Sequence, residues 1–201
     1  MGSRISFAAL RAHAAFAAVL AVLACSLAFP ALARADGYSM PQVSIGAQVM
    51  ADGTLDVTET RSFDFDDDVN GVYWVIPVGQ NQQGASSNVS VTSVVAQDGR
   101  GSQKFTRAQH ASSGDRGVYT VEQDSDGVTL KVFSPHEDGD SATVTVRYAL
   151  AGAVMSWSDT AELYWKFVGD GWSEDSDNVS LTVTFDAELV AASPAKAGDT
   201  L

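Results

Sequence analysis

Cysteine is nearly absent from this chain. The one copy, Cys25, lies inside an apolar run close to the N-terminus. A chain with a single cysteine forms no internal disulfide and offers no multi-thiolate metal site. Basic residues are also scarce: 12 Lys and Arg stand against 25 Asp and Glu, for a net charge of −13. Such a surface repels phosphates and anionic headgroups, which excludes nucleic acid and a bare anionic bilayer as partners. The signatures of common hydrolases are missing too. There is no Gly-x-Ser-x-Gly elbow. His136-Glu137 opens like a zinc-protease motif, but Asp140 stands where the second histidine belongs. After residue 35 no apolar run is long enough to cross a bilayer, and no helical periodicity is evident.

What is present begins with a leader. Arg4 and Arg11 precede the run Ala14 to Phe29, AAFAAVLAVLACSLAF, which Pro30 ends. Ala31-Leu32-Ala33 and Ala33-Arg34-Ala35 supply small residues at signal-peptidase spacing, so residues 1–35 read as a cleaved secretory signal peptide. The run falls just short of the roughly 17–25 residues of a membrane span, so a retained N-terminal anchor is the alternative. Cleavage removes Arg4, Arg11 and Arg34 with no acidic residue, and the net charge of −13 becomes −16. Cys25 leaves as well. The mature domain is then expected to depend on its apolar core alone.

The rest of the chain alternates with period two, the mark of half-buried strands. Val43, Ile45, Ala47 and Val49 share one face. Leu55, Val57, Phe63 and Phe65 share another, with Asp52-Gly53 as the turn between. Gly71 to Val78 is apolar on both faces. Gly99 to Gly117 is polar and reads as a long loop. Leu163, Trp165 and Phe167 alternate, as do Val179, Leu181, Val183 and Phe185. These segments predict an all-β fold, an antiparallel two-sheet β-sandwich of about nine strands over residues 36–187, followed by an Ala-rich linker, 188–201.

Three stretches in this order resemble one family. They are DGTLDVTE (Asp52 to Glu59), NGVYWVIP (Asn70 to Pro77) and ELYWKFVGDGW (Glu162 to Trp172). Together they resemble the N-terminal extracytoplasmic domain of bacterial predicted membrane proteins, domain-of-unknown-function family 2207, over roughly Tyr38 to Asp186. The resemblance implies an exported β-sandwich followed by transmembrane helices. The linker 188–201 would then lead to a membrane segment that is missing or absent from this chain. It implies no catalytic residues. Relatives of this kind usually carry arginine where this chain has Trp74, so the face bearing residue 74 is expected to reach solvent or a partner.

Asp66-Asp67-Asp68-Val69-Asn70-Gly71 opens like an EF-hand loop, but the twelfth position is Pro77, which has no carboxylate. The candidate metal ligands Asp66, Asp68 and Asn70 are therefore read as a solvated turn that holds calcium weakly at most. His110 and His136 are expected to be exposed. Trp165 is expected in the core, and Trp74, Trp157 and Trp172 are the candidate partner-binding residues. The leading expectation is a non-enzymatic interaction or structural module of a membrane-anchored envelope protein, without cofactor. Its partner would be an unknown envelope protein or a glycan. The alternative is a secreted glycan-binding module using exposed tryptophans. Last comes a glycosidase-like enzyme pairing Asp159 or Glu162 with Asp170 or Glu174.

Overall fold

The computed structural model describes residues 37–80, 86–124, 127–157, 160–169 and 171–192. They all fall within one compact unit, Ala35–Leu201. The leader, Asp159, Asp170 and residues 193–201 lie outside the described residues.

The fold is nearly all-β. A six-stranded sheet has the order β12-β1-β2-β9-β4-β5, and a four-stranded sheet the order β3-β8-β7-β6. Their strands are β1 (Tyr38–Val49), β2 (Leu55–Phe65), β3 (Val69–Pro77), β4 (Asn88–Asp98), β5 (Gly101–Lys104), β6 (Thr106–Arg107), β7 (Val118–Gln123), β8 (Gly127–His136), β9 (Ser141–Ala151) and β12 (Val179–Phe185). A small hairpin pairs β10 (Val154–Ser156) with β11 (Ala161–Leu163), and one short helix, α1 (Ala187–Ala192), follows β12. Most pairings are antiparallel, but β1–β12 and β6–β7 are parallel.

The alternation in the sequence becomes alternation in burial. Along β2 every second residue from Leu55 to Phe65 is buried, and β8 and β9 repeat the pattern. Buried side chains from the six-stranded and four-stranded sheets belong to one cluster, with Val43, Leu55, Phe63, Leu130 and Leu150 at or near zero exposure. Gly71 sits where β3 bends toward β8, at φ +141°, and a Cβ there would overlap the Val132 carbonyl. This fixes the glycine of the NGVYWVIP stretch by close backbone approach.

Four expectations change. The segment Gly99–Gly117 is not a bare loop: β5 hairpins onto β4, Phe105 is buried, and β6 pairs with β7. A single buried aromatic anchors the stretch, too little to set a visible period. The alternation through Trp165 and Phe167 is not a strand, since β11 ends at Leu163. Trp165 packs against the core but is only partly buried. His136 is 4% exposed rather than a surface histidine, because it continues the inward parity of β8. Trp74 is 1% exposed, and it shares inward parity with Val72 and Ile76.

Candidate functional site

The inward face of β2 carries two charges. Residues 55, 57, 63 and 65 are apolar, but Glu59 and Arg61 occupy the same parity and are buried at 3% and 0% exposure. Their side chains lie on one face two residues apart, and they pair. Arg61 Nε donates to Glu59 Oε1 at 2.8 Å, with Nη2 2.6 Å from the same oxygen. Trp74 reaches across from β3 and donates its indole N–H to Glu59 Oε2 at 3.3 Å. The Tyr148 hydroxyl of β9 interacts electrostatically with the same carboxylate. Burial pushes the Glu59 carboxyl up, and Arg61 pulls it partly back. Tyr148 is pushed up by burial first and by the Glu59 charge second.

Arg61 also ties in the segment ahead of β12. Its Nη1 donates to Ser176 Oγ at 2.9 Å. Its guanidinium carbon lies 4.0 Å from the Trp172 ring centroid and 5.4 Å from that of Trp74, and the two indoles meet edge to face at 5.2 Å. A cation between two aromatic faces is favourable when desolvated. The cluster thus fastens Trp172 and Ser176, ahead of β12, to β2 and β3, and it consumes Trp74 and Trp172 as structural partners.

A second polar group lies at the far end of β8. Ser134 Oγ and His136 Nε2 are 2.9 Å apart, and the imidazole stacks on Phe65 at 4.6 Å. That is the first contact of a nucleophile–base pair. The base is not oriented by a third group: Asp140 Oδ2 stands 3.6 Å from Nδ1, which has no hydrogen-bond partner. Ser134 is 4% exposed. A cavity of about 90 Å³ adjoins it, walled by Asp98, Arg100, Phe105 and Arg116. Burial holds the His136 imidazole below its ordinary value, and Asp98 and Asp140 oppose this while Arg100 and Arg116 add to it.

The acidic turn is occupied by backbone contacts. Asp68 Oδ1 accepts the Asp138 N–H at 3.2 Å, Asp67 Oδ1 accepts the Asp68 N–H, and the Asp66 N–H bonds the Gly37 carbonyl. Asn70 lies exposed on β3. Among the described residues no three His, Cys, Asp or Glu side chains gather as a metal site.

Of the candidate tryptophans only Trp157 is largely exposed, at 48%. Correcting the sequence expectation, the Trp74 face does not reach solvent. Residue 74 faces Glu59, a carboxylate able to satisfy either an indole N–H or a guanidinium, so an arginine there would not need solvent. A groove of about 250 Å³ is lined by Tyr164, Trp165, Lys166, Gln80 and Ser87. Sequence reading missed Glu59 and Arg61, although two charges set into an apolar parity were the available signal.

The last feature is β12. Val179, Leu181, Val183 and Phe185 pair in register with Val43, Ile45, Ala47 and Val49, so both rows lie on one face of the sheet. The β1 row is buried. Val179, Leu181 and Phe185 are 46%, 46% and 57% exposed. The strand ends the six-stranded sheet and bears no charge, no proline and no bulge.

No curated protein matches the sequence. Among solved structures the chain is similar to an M1 zinc metallopeptidase from Deinococcus radiodurans, at 12% identity and TM-score 0.36, over 57% of this chain and 20% of that one. It is also similar to a two-domain M1 zinc metallopeptidase bound to L-arginine, at 11% identity and TM-score 0.41, over 74% of this chain and 32% of that one. Likenesses this loose carry no argument about fold or function. The sequence itself is more decisive: residues 39–198 match the family described as predicted membrane protein (DUF2207) N-terminal domain, and the chain belongs to that family.

Proposed function

We propose that this domain is a non-enzymatic interaction module, a two-layer β-sandwich displayed outside the cytoplasm by a membrane-anchored envelope protein. The observation that carries this reading is the β12 row. Three large apolar side chains stand about half exposed on the core-side face of an edge strand. A folded domain gains nothing by leaving such a row in water, and contiguous apolar rows mark contact surfaces. The buried Glu59–Arg61 cluster supports the reading from the other side, since it fastens the segment that delivers β12 to the sheet.

The test is site-specific photo-crosslinking in intact cells, with the reactive residue placed in turn at 179 through 185. Docking on the apolar face yields crosslinks to a protein at 179, 181 and 185 and none at 180, 182 and 184. A uniform ladder, or crosslinks at the even positions only, would refute it.

The groove at Tyr164 supports a second reading, a glycan-binding module. Tyr164 is 78% exposed, and amide, hydroxyl and ammonium groups lie beside it, as stacking on a sugar requires. If this reading holds, crosslinkers at 164 capture envelope polysaccharide and those at 181 capture nothing.

A further inference from the structure

We infer that the occupant of β12 is an extended polypeptide segment, apolar at alternate positions and bracketed by basic residues, that adds as a further strand to the edge of β12 that no other strand pairs among the described residues. The inference rests on the docking reading above and names the partner of that same surface.

The edge itself comes first. A sheet edge presents a row of unpaired N–H and C=O groups, and proteins blunt such edges with charge, proline, bulges or very short strands. The other sheet ends show these devices. β5 is four residues long and ends at Lys104, and β6 is two residues long and contains Arg107. β3 is kinked at Gly71, ends at Pro77, and has Gly169 and Gly171 packed beside Val75. β12, Val179-Ser180-Leu181-Thr182-Val183-Thr184-Phe185, has none, and it is exposed along nearly its whole length. An unblunted seven-residue edge is a template for strand addition, in which main-chain bonds give affinity and alternate side chains give selectivity.

Charge then selects the occupant. The segment Val168 to Ala192 holds six acidic residues and no Lys or Arg. Asp175 and Asp177 are exposed just before β12, and Glu188 just after it. A second copy pairing antiparallel would set the acidic start of one strand against the acidic end of the other. An anionic bilayer would be repelled by the same groups. A strand with Lys or Arg at both ends meets opposite charge at both ends, and such complementarity sets partner choice and encounter rate.

The experiment titrates the full chain with three dye-labelled peptides, read by fluorescence anisotropy at low and high salt. The first is Lys-Val-Thr-Val-Thr-Val-Lys. The second replaces both lysines with glutamate. The third is the first with alternate amides N-methylated along one edge. The expected result is saturable binding of the first, at least tenfold weaker binding of the second, and loss of binding with the third. The Leu181→Asp chain should lose at least tenfold. Thr182→Asp, which adds the same charge on the opposite face, should retain binding and shows that the strand still folds.

If the N-methylated peptide binds as well as its parent, strand addition is wrong, while docking on the apolar face stands. If no peptide binds although crosslinks form at 181, the named occupant is wrong and the docking reading survives. If Leu181→Asp binds like the parent chain, both fall. Self-association through β12 at micromolar concentration, or binding to anionic vesicles, would also overturn the assignment.

Discussion

Arg61 is the residue whose loss the core should feel most. Arg61→Ala leaves Glu59 buried without its cation and removes the filling between Trp74 and Trp172. Breaking a buried pair from one side costs about 3–5 kcal/mol. Replacing both members with apolar residues of like volume, Glu59→Leu with Arg61→Met, should cost far less, because no charge is left stranded. Urea denaturation of the two variants measures the difference, and equal losses would mean that the pair is not coupled. His136 makes a pH prediction. Its imidazole is held below the ordinary 6.5, chiefly by burial, so the unfolded chain binds the proton more readily. Stability attributable to this group is complete above 6.5 and is lost as pH falls below it toward the depressed folded value. His136→Phe should flatten thermal melts across that window. Asp140 titrates lower down: the Glu137 N–H holds it below its ordinary 3.8, and the neighbouring His136 and Arg100 charges add to this. At this scale the sequence was only partly legible. The parity of β2 pointed Glu59 and Arg61 inward, but their partners Ser176 and Trp172 lie more than a hundred residues away, in a segment without regular structure.

The strands were legible wherever burial is one-sided. β1, β2, β9 and β12 follow the alternation of their sequences, because each has one face toward the core or its continuation. β5 and β6 were not, since short edge strands bury almost nothing and leave no period. The parallel pairing of β12 with β1 was equally hidden: alternation sets which side chains face inward but not which strand lies alongside. Gly71 gives an element-scale test. A Cβ at φ +141° would overlap the Val132 carbonyl and force β3 from β8. Gly71→Ala should therefore cost at least the ~1–3 kcal/mol of a strained backbone position. Gly79→Ala, where a Cβ meets nothing within 4 Å, should leave the melting temperature nearly unchanged. Similar melts for the two would show that β3 is not pinned at its bend.

For the molecule as a whole, the excess of 25 acidic over 12 basic residues should make the domain self-repelling. Screening shortens the reach of that repulsion to about 10 Å at 0.1 M salt. The melting temperature should accordingly rise as salt increases from a few millimolar to that range, and a fall would show that attractive surface pairs dominate. The same charge, together with the half-exposed β12 row, suits the reading proposed above, in which a β domain of this membrane-protein family receives a partner at one sheet edge. Amide hydrogen exchange tests that reading most directly, with β12 followed in the purified chain alone and in the chain mixed with a membrane-and-wall extract of the producing cells. If a partner adds to β12, protection of residues 179–185 rises in the extract while β2 and β9 stay as they were. Equal exchange along β12 in both settings would contradict it.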